Sequence, residues 1–220
     1  MRRGPRLSLE ELAPFLLPVP EQPGAISFQE LFGNQHPVEM EVGFGKGLFL
    51  LNSALKNPGT NYVGVEIVRK YQLFAATRIA MRKLPNVKLA CGDANLFLRD
   101  FIAPGSLETI HIYFPDPWWK NRHHKRRIFT DEFIERCLAA LRVGGHLSIV
   151  TDVEDYFMRI QELITPLVIL KPLPLEELPV PQNDMDYLTN FERKFRKEGK
   201  PIYRGRWELL NKLVKEGNPA

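Results

Sequence analysis

At 220 residues, with 44% hydrophobic and 25% charged side chains, the chain has the length and balance of one soluble α/β domain with short extensions. The formal net charge is only +4, so any field that attracts a polyanion has to come from local clusters rather than from the total. Cys91 and Cys137 show neither metal-ligand spacing nor a disulfide pattern, which argues against a structural metal and fits reduced thiols in a cytoplasmic protein. Residues 1–35 carry Pro5, Pro14, Pro18, Pro20 and Pro23, which forbid long regular elements, and read as an arm laid over a domain of residues 36–220. The apolar run 12–19 within that arm is broken by Pro14 and Pro18 and preceded by Glu10 and Glu11, which is wrong for a signal peptide or a membrane span.

Residues 38–42 read as a short strand, Gly43-Phe44-Gly45-Lys46-Gly47 as a glycine turn, and 48–55 as a helix ended by Asn57-Pro58-Gly59. The strand signal returns at 62–66, followed by an amphipathic helix over 70–83 with Leu73, Phe74, Ile79 and Leu84 as its apolar positions. A third strand at 87–91 leads past Asp93 into a short helix over 95–101, and the β-branched and aromatic run 110–114 is a fourth strand stopped by Pro115 and Pro117. Residues 130–141 form a helix capped by Thr130 and closed by Gly144-Gly145, and 146–151 form a fifth strand ending at Asp152. Helix over 156–163, a strand at 167–171, a proline-rich loop to 181, a basic helical run ending at Gly199 and a last strand at 203–210 complete the chain. Five β-α periods predict a mostly parallel, doubly wound, Rossmann-like α/β sheet.

Two features of this pattern point to a ligand. Gly43, Gly45 and Gly47 form G-x-G-x-G rather than the G-x-G-x-x-G of dinucleotide folds, which weakens a dehydrogenase reading. Acids stand at successive strand ends: Glu41 beside the glycine turn, Glu66 after the second strand, Asp93 after the third. Glu66, about 20 residues past the turn, suits a ribose hydroxyl pair. Carboxylates without a phosphate cradle suit a cationic ligand, and S-adenosylmethionine, with its sulfonium and ammonium groups, is one.

The second feature is the stretch P-D-P-W-W-K-N-R-H-H-K-R-R at 115–127. Asp116 falls on the turn after a strand's C-terminal end, where ligands sit in open α/β sheets. Residues 120–127 follow with five Lys/Arg, two His and no acid, beside Trp118 and Trp119. Guanidinium groups next to tryptophan faces suit phosphate and base together. A second basic cluster, residues 193–206, has seven Lys/Arg against Glu198. The 115–127 stretch resembles the signature of the tRNA (guanine-N7)-methyltransferases, enzymes that use S-adenosylmethionine to methylate the guanosine at position 46 in the tRNA variable loop. The resemblance spans roughly residues 39–208.

The resemblance implies the class I methyltransferase fold, S-adenosylmethionine as cofactor and tRNA as partner. It implies cofactor roles for Glu41, Gly43, Gly45, Gly47, Glu66 at the ribose and Asp93 near the adenine. It makes Lys120 and Asp152 substrate contacts, with Thr189, Phe191 and Glu192 in a T-x-F-E segment that closes over the site. Arg122, Lys125, Arg126 and Arg127 are expected on phosphates, Trp118 or Trp119 on a base, and His123 and His124 either on RNA or as spacers. Asp116 is expected to carry catalysis and to lie against cofactor, guanine or both. Guanine N7 has no proton to lose, so a carboxylate there serves as a holder of the base's N–H groups and offsets the cation that forms.

The Asp-Pro turn also suits a methyltransferase of exocyclic amines, although Trp118 replaces the second proline of that motif. A non-catalytic RNA-binding protein on the same scaffold leaves Glu41, Glu66 and Asp93 unexplained. As a monomer or homodimer, with no metal and no membrane, the chain is expected in the cytoplasm.

Overall fold

The computed structural model describes residues 7–117, 128–175, 177, 181–183 and 186–211. Its strands, in chain order, are β1 (Leu16–Leu17), β2 (Val38–Val42), β3 (Asn61–Glu66), β4 (Val87–Cys91), β5 (Leu107–Tyr113), β6 (Leu141–Thr151), β7 (Leu170–Pro172) and β8 (Tyr203–Leu209). The helices are α1 (Leu9–Leu12), α2 (Phe28–Phe32), α3 (Leu48–Lys56), α4 (Arg69–Met81), α5 (Ala94–Phe101), α6 (Asp131–Ala140), α7 (Glu154–Ile164) and α8 (Asn190–Lys197).

One sheet contains all eight strands in the order β1-β4-β3-β2-β5-β6-β8-β7. The run from β1 to β6 is parallel, and β8 is antiparallel to both β6 and β7. This is the expected doubly wound α/β sheet. The chain works outward from β2 in both directions, so the crevice between the ends of β2 and β5 is the topological switch point at which such sheets bind ligands.

Period-two alternation separates the two cores. Met40 and Val42 face the layer made by α5, α6 and α7, where Phe97, Phe133 and Ile160 are fully buried. Across the sheet, α3, α4 and α8 contribute Leu50, Leu51, Ile79 and Phe195. Glu39 and Glu41, one position out of phase with Met40, share the sheet face of the second layer.

Three expectations need correction. The proline-rich arm does more than cover the domain: Leu16 and Leu17 pair in parallel with Leu89 and Ala90 and extend the sheet edge. Prolines limit the strand to two residues, so its sequence signal is weak. Gly144-Gly145 does not close the preceding helix. α6 stops at Ala140 and β6 starts at Leu141; the glycines lie where the register slips between Leu107↔Leu141 and Thr109↔His146. A notional Cβ on Gly145 would stand 2.8 Å from the Glu108 carbonyl oxygen, so the bulge needs a residue without one. On α4 the buried face is Gln72, Ala75, Ala76 and Ile79, while Phe74 points outward at 49% exposure. Gln72 belongs inside because its amide donates to the Leu89 carbonyl at 2.6 Å.

Candidate cofactor and acceptor sites at the sheet's C-terminal edge

Glu41, Glu66 and Asp93 come together as the sequence implied, on the ends of the adjacent strands β2, β3 and β4. Between β2 and α3 the chain makes its glycine turn, with Gly43, Gly45 and Gly47 all at positive φ of 72°, 52° and 66°. Gly47 also needs to be glycine for packing, since a Cβ there would stand 2.7 Å from the Ala75 Cβ. Around Gly43 and Gly45 a notional Cβ meets nothing within 4 Å, so the turn borders open space on its outer side.

Glu66 shapes this turn. Its Oε2 accepts from the Gly45 N–H at 2.9 Å and its Oε1 from the Val68 N–H at 2.9 Å. The sequence reading, a ribose holder, assigned it no such part. Each carboxylate oxygen has a second lone pair, so organising the turn and receiving a hydroxyl are compatible. Glu41 is different. It is buried, its Oε2 has no hydrogen-bond partner among the described residues, and burial, reinforced by the nearby Glu66 charge, holds its pKa well above the usual carboxylate range. A desolvated acceptor without a partner is unfavourable by itself and is relieved by a cationic donor. Asp93 is exposed and caps α5 with its Oδ1, accepting from Asn95 and Leu96 N–H at 2.8 and 3.2 Å. An open glycine turn, an unpartnered buried acid and two further acids fit a ligand with cationic and hydroxyl groups, as S-adenosylmethionine has.

Across the switch point the β5 end is built otherwise. Phe114 continues the pairing with β6 through its N–H to the Val150 carbonyl at 2.7 Å, yet its φ is +52°. For a bulky residue that is a strained backbone, and such strain persists only where the surroundings over-determine it. The surroundings are Phe195 and Phe191 of α8, with ring centroids 5.5 and 6.0 Å from that of Phe114. The strained residue turns the chain so that Pro115-Asp116-Pro117 leaves the sheet with Asp116 exposed.

The strand leading into this turn carries a polar chain. His111 Nε2 is 2.8 Å from Glu39 Oε2, its Nδ1 is 2.7 Å from the Tyr113 hydroxyl, and that hydroxyl is 3.4 Å from Ser148 Oγ. Phe49 packs on the imidazole at 4.5 Å. This chain ties β2, β5 and β6 together through the residues of β5 that precede Phe114. Burial drives the Tyr113 phenol's pKa up, so it stays a neutral donor at ordinary pH.

The T-x-F-E segment reaches the acceptor side through α8. Thr189 is its N-cap, accepting from the Glu192 N–H at 3.0 Å, and the buried Glu192 accepts from the Leu188 N–H and from Arg196 at 3.2 Å. Phe191 is 52% exposed, so it is not a core side chain; it stacks on Phe195, and its ring centroid lies 6.0 Å from that of Phe114. Asp152 follows β6 at half burial and does not cap α7, whose N-cap is Val153 without a side-chain bond. Trp118, Trp119, Lys120, Arg122, His123, His124, Lys125, Arg126 and Arg127 lie outside the described residues.

Sequence reasoning missed the Phe114 strain and the aromatic clamp that holds it, because neither has a local pattern. It also missed a third basic region. Residues 67–92 contain Arg69, Lys70, Arg78, Arg82, Lys83 and Lys88 and no acid at all, a signal that was available in the sequence. Among the described residues no group of three or more His, Cys, Asp and Glu side chains is placed to hold a metal ion, and no helix is long and apolar enough to cross a membrane.

Residues 35–205 match the family model described as a putative methyltransferase. The chain is 44% identical over 214 residues to a tRNA (guanine-N(7)-)-methyltransferase of Rhodopirellula baltica, covering 92% of this chain and 79% of that protein. It is 38% identical over 185 residues to a protein of the same name from Actinobacillus pleuropneumoniae, covering 83% and 72%. Among solved structures it is similar to an rRNA methylase from Streptococcus thermophilus (TM-score 0.55, 14% identity, 81% and 89% covered). It is also similar to the aminoglycoside resistance methyltransferase NpmB1 (TM-score 0.57, 16% identity, 84% and 94% covered). At these identities the two structures speak for the class I methyltransferase fold alone.

Proposed function

Because this chain belongs to the tRNA (guanine-N7)-methyltransferase family, we propose that it methylates N7 of the guanosine at position 46 in the tRNA variable loop. Methyl transfer from S-adenosylmethionine to guanine N7 of tRNA is the activity that its relatives carry and that it shares. The observation that carries the reading is the juxtaposition of two unlike edges: an acid-lined open glycine turn on β2–β4 and the strained Phe114-Pro115-Asp116 turn on β5.

Bound at the first edge, S-adenosylmethionine would supply an electrophilic methyl group on a positively charged sulfur. Glu41 provides a desolvated negative charge for the cofactor's cationic end, and Glu66 and Asp93 provide acceptors for its hydroxyl and amine donors. The nucleophile, guanine N7, is a neutral lone pair with no proton to lose, so the transfer would ask no general base of the protein. The protein's part is therefore placement and charge. Asp116 accepts hydrogen bonds from the guanine N–H face and offsets the positive charge the ring gains. Phe191, half-exposed and next to Phe114, stands on the same side of the sheet edge. Lys120, Arg122, Lys125, Arg126, Arg127 and Asp152 complete the acceptor side in this reading.

The test is nucleoside analysis of tRNA incubated with the protein and labelled S-adenosylmethionine, run beside a tRNA carrying 7-deazaguanosine at position 46. The analogue keeps the N–H face but has carbon at the attacking position. Labelled 7-methylguanosine from normal tRNA, with near-normal binding but no label on the analogue, is the expected result. Methyl transfer to the deaza substrate would indicate an exocyclic-amine enzyme instead.

A further inference from the structure

The proline-rich arm is anchored on both sides of one exposed segment. Before that segment Leu12 and Leu17 are buried, Leu16 and Leu17 pair with Leu89 and Ala90 of β4, and the Lys88 ammonium donates to the Pro14 carbonyl at 2.6 Å. After it the Gly24 and Ile26 N–H groups donate to the Asp100 and Phe101 carbonyls at the end of α5, both at 2.9 Å. Between these anchors residues 18–23 are all exposed, and Pro18, Pro20 and Pro23 stiffen them. A segment that buries nothing of its own, yet is held at both ends and stiffened, has its course set before any ligand arrives.

That course passes the corner where β3 and β4 end. Because β1 runs parallel to β4, the chain leaving Leu17 emerges at the same sheet edge as Cys91, Gly92 and Asp93. There Val19 is the neighbour of Gly92: a notional Cβ on Gly92 would lie 3.8 Å from Val19 Cγ2, and beyond its chain neighbours it would meet no other described residue within 4 Å. The corner joins two of the cofactor acids, since the Gly92 N–H donates to the Glu66 carbonyl at 3.0 Å and Asp93 follows directly. Its side chains are apolar and open to solvent, with Val19 38%, Ile67 69% and Leu96 46% exposed. One exposed apolar side chain is ordinary, but three around a pair of acids suit a ligand with flat apolar faces and a polar rim. The adenine is the part of S-adenosylmethionine with that character, its other parts being charged or hydroxylated.

We propose that residues 18–23 of the arm form one wall of the cofactor site, with Val19 against the adenine, and that cofactor binding is thereby coupled to docking of the arm on β4. A strand of two residues opens locally at small cost, and a ligand that touches only the docked arm suppresses the opening. Coupling is reciprocal, so what loosens the arm also weakens the cofactor. The wall rests on the cofactor site proposed above.

The experiment measures S-adenosylmethionine binding to the whole chain by calorimetry, for wild type and Val19→Ala, and hydrogen exchange across residues 16–22 with and without the cofactor. Val19→Ala is expected to weaken binding roughly 4- to 15-fold, as the removal of one to two methyl groups from an apolar contact does. The melting temperature of the ligand-free variant is expected to stay at the wild-type value, because this side chain is exposed until the ligand arrives. Saturating cofactor is expected to slow exchange across residues 16–22 of the wild type. Either wild-type affinity in Val19→Ala or exchange that the cofactor leaves unchanged would overturn the proposal. So would a loss of affinity accompanied by a lower melting temperature of the ligand-free variant, which would make Val19 a support of the fold rather than of the ligand. No binding of S-adenosylmethionine to the wild-type protein would instead sink the cofactor site on which the wall depends.

Discussion

On the β2–β4 side of the sheet edge two of the three proposed functional acids are sunk into the fold, with Glu41 and Glu66 3% and 7% exposed and the glycine turn clamped by Glu66, while Asp93 stands exposed at the start of α5. On the β5–β6 side Asp116 is exposed and Asp152 half-buried, and order comes instead from a strained Phe114 gripped by two rings of α8. The difference follows from what each side has to receive. A small ligand can be enclosed, so its contacts are preformed and desolvated, where charge acts strongly. A guanine still attached to a folded RNA has to enter from outside, so in the proposed function its contacts stand on a turn near the surface and are held in place from behind.

The comparison breaks most visibly at Asp116. Asp116→Ala should reduce methyl transfer by about 100-fold, the order of loss that misplacement of a reacting group causes, while tRNA affinity stays near wild type because phosphate contacts supply much of it. Single-turnover kinetics with saturating tRNA measures this, and undiminished transfer would remove Asp116 from the mechanism.

On the enclosed side, Glu66→Ala should weaken cofactor binding roughly 10- to 150-fold, since hydrogen bonds to a charged group are worth about 1.5–3 kcal/mol and this one also sets the turn. Calorimetry with S-adenosylmethionine reads the loss. A matching fall in tRNA affinity would mean that the two sides are not independent.

The smallest effect concerns Glu41, and it is a matter of pH. Its folded-state pKa is raised above the ordinary 4.5, so as pH climbs past 4.5 the unfolded chain ionises first. The group is neutral in both states below that pH, and its contribution turns against the fold as pH rises toward the folded-state pKa. Glu41→Gln should therefore raise the melting temperature of the ligand-free protein at pH 8 by about 2–4 °C for each kcal/mol relieved, with no gain at pH 4. A cationic ligand favours the ionised form, so wild-type cofactor affinity should fall as pH drops through that pKa, and Glu41→Gln should flatten the profile. A pH-independent wild-type affinity would place Glu41 off the ligand.

Val38–Val42, Val87–Cys91 and the Thr130 cap of α6 were legible because each rests on local chemistry: β-branched runs bounded by turn residues, and a hydroxyl ahead of a helix. The placement of the acids at the strand ends and of the Asp-Pro turn was legible for the same reason, as was the switch-point edge of the sheet once the β-α period was counted. What one residue does to another far along the chain was not. Thr109↔His146 pairing, the β1 edge strand and the insertion of β8 between β6 and β7 depend on pairings across many residues, which no local pattern records.

Phe74 shows the limit in a single side chain. Its hydrophobicity argued for the core, but the space under α4 was already filled by Gln72, Ala75, Ala76 and Ile79. Local sequence determined the elements and the residue types at the sheet's edge, since propensity, capping and turn chemistry act over a few bonds. Only the tertiary structure decided that Glu41 would be buried without a partner, that Glu66 would hold the glycine turn, and that Phe191 and Phe195 would pin Phe114. Burial and packing are properties of the assembled chain, set by which faces are left after every element has found its neighbour.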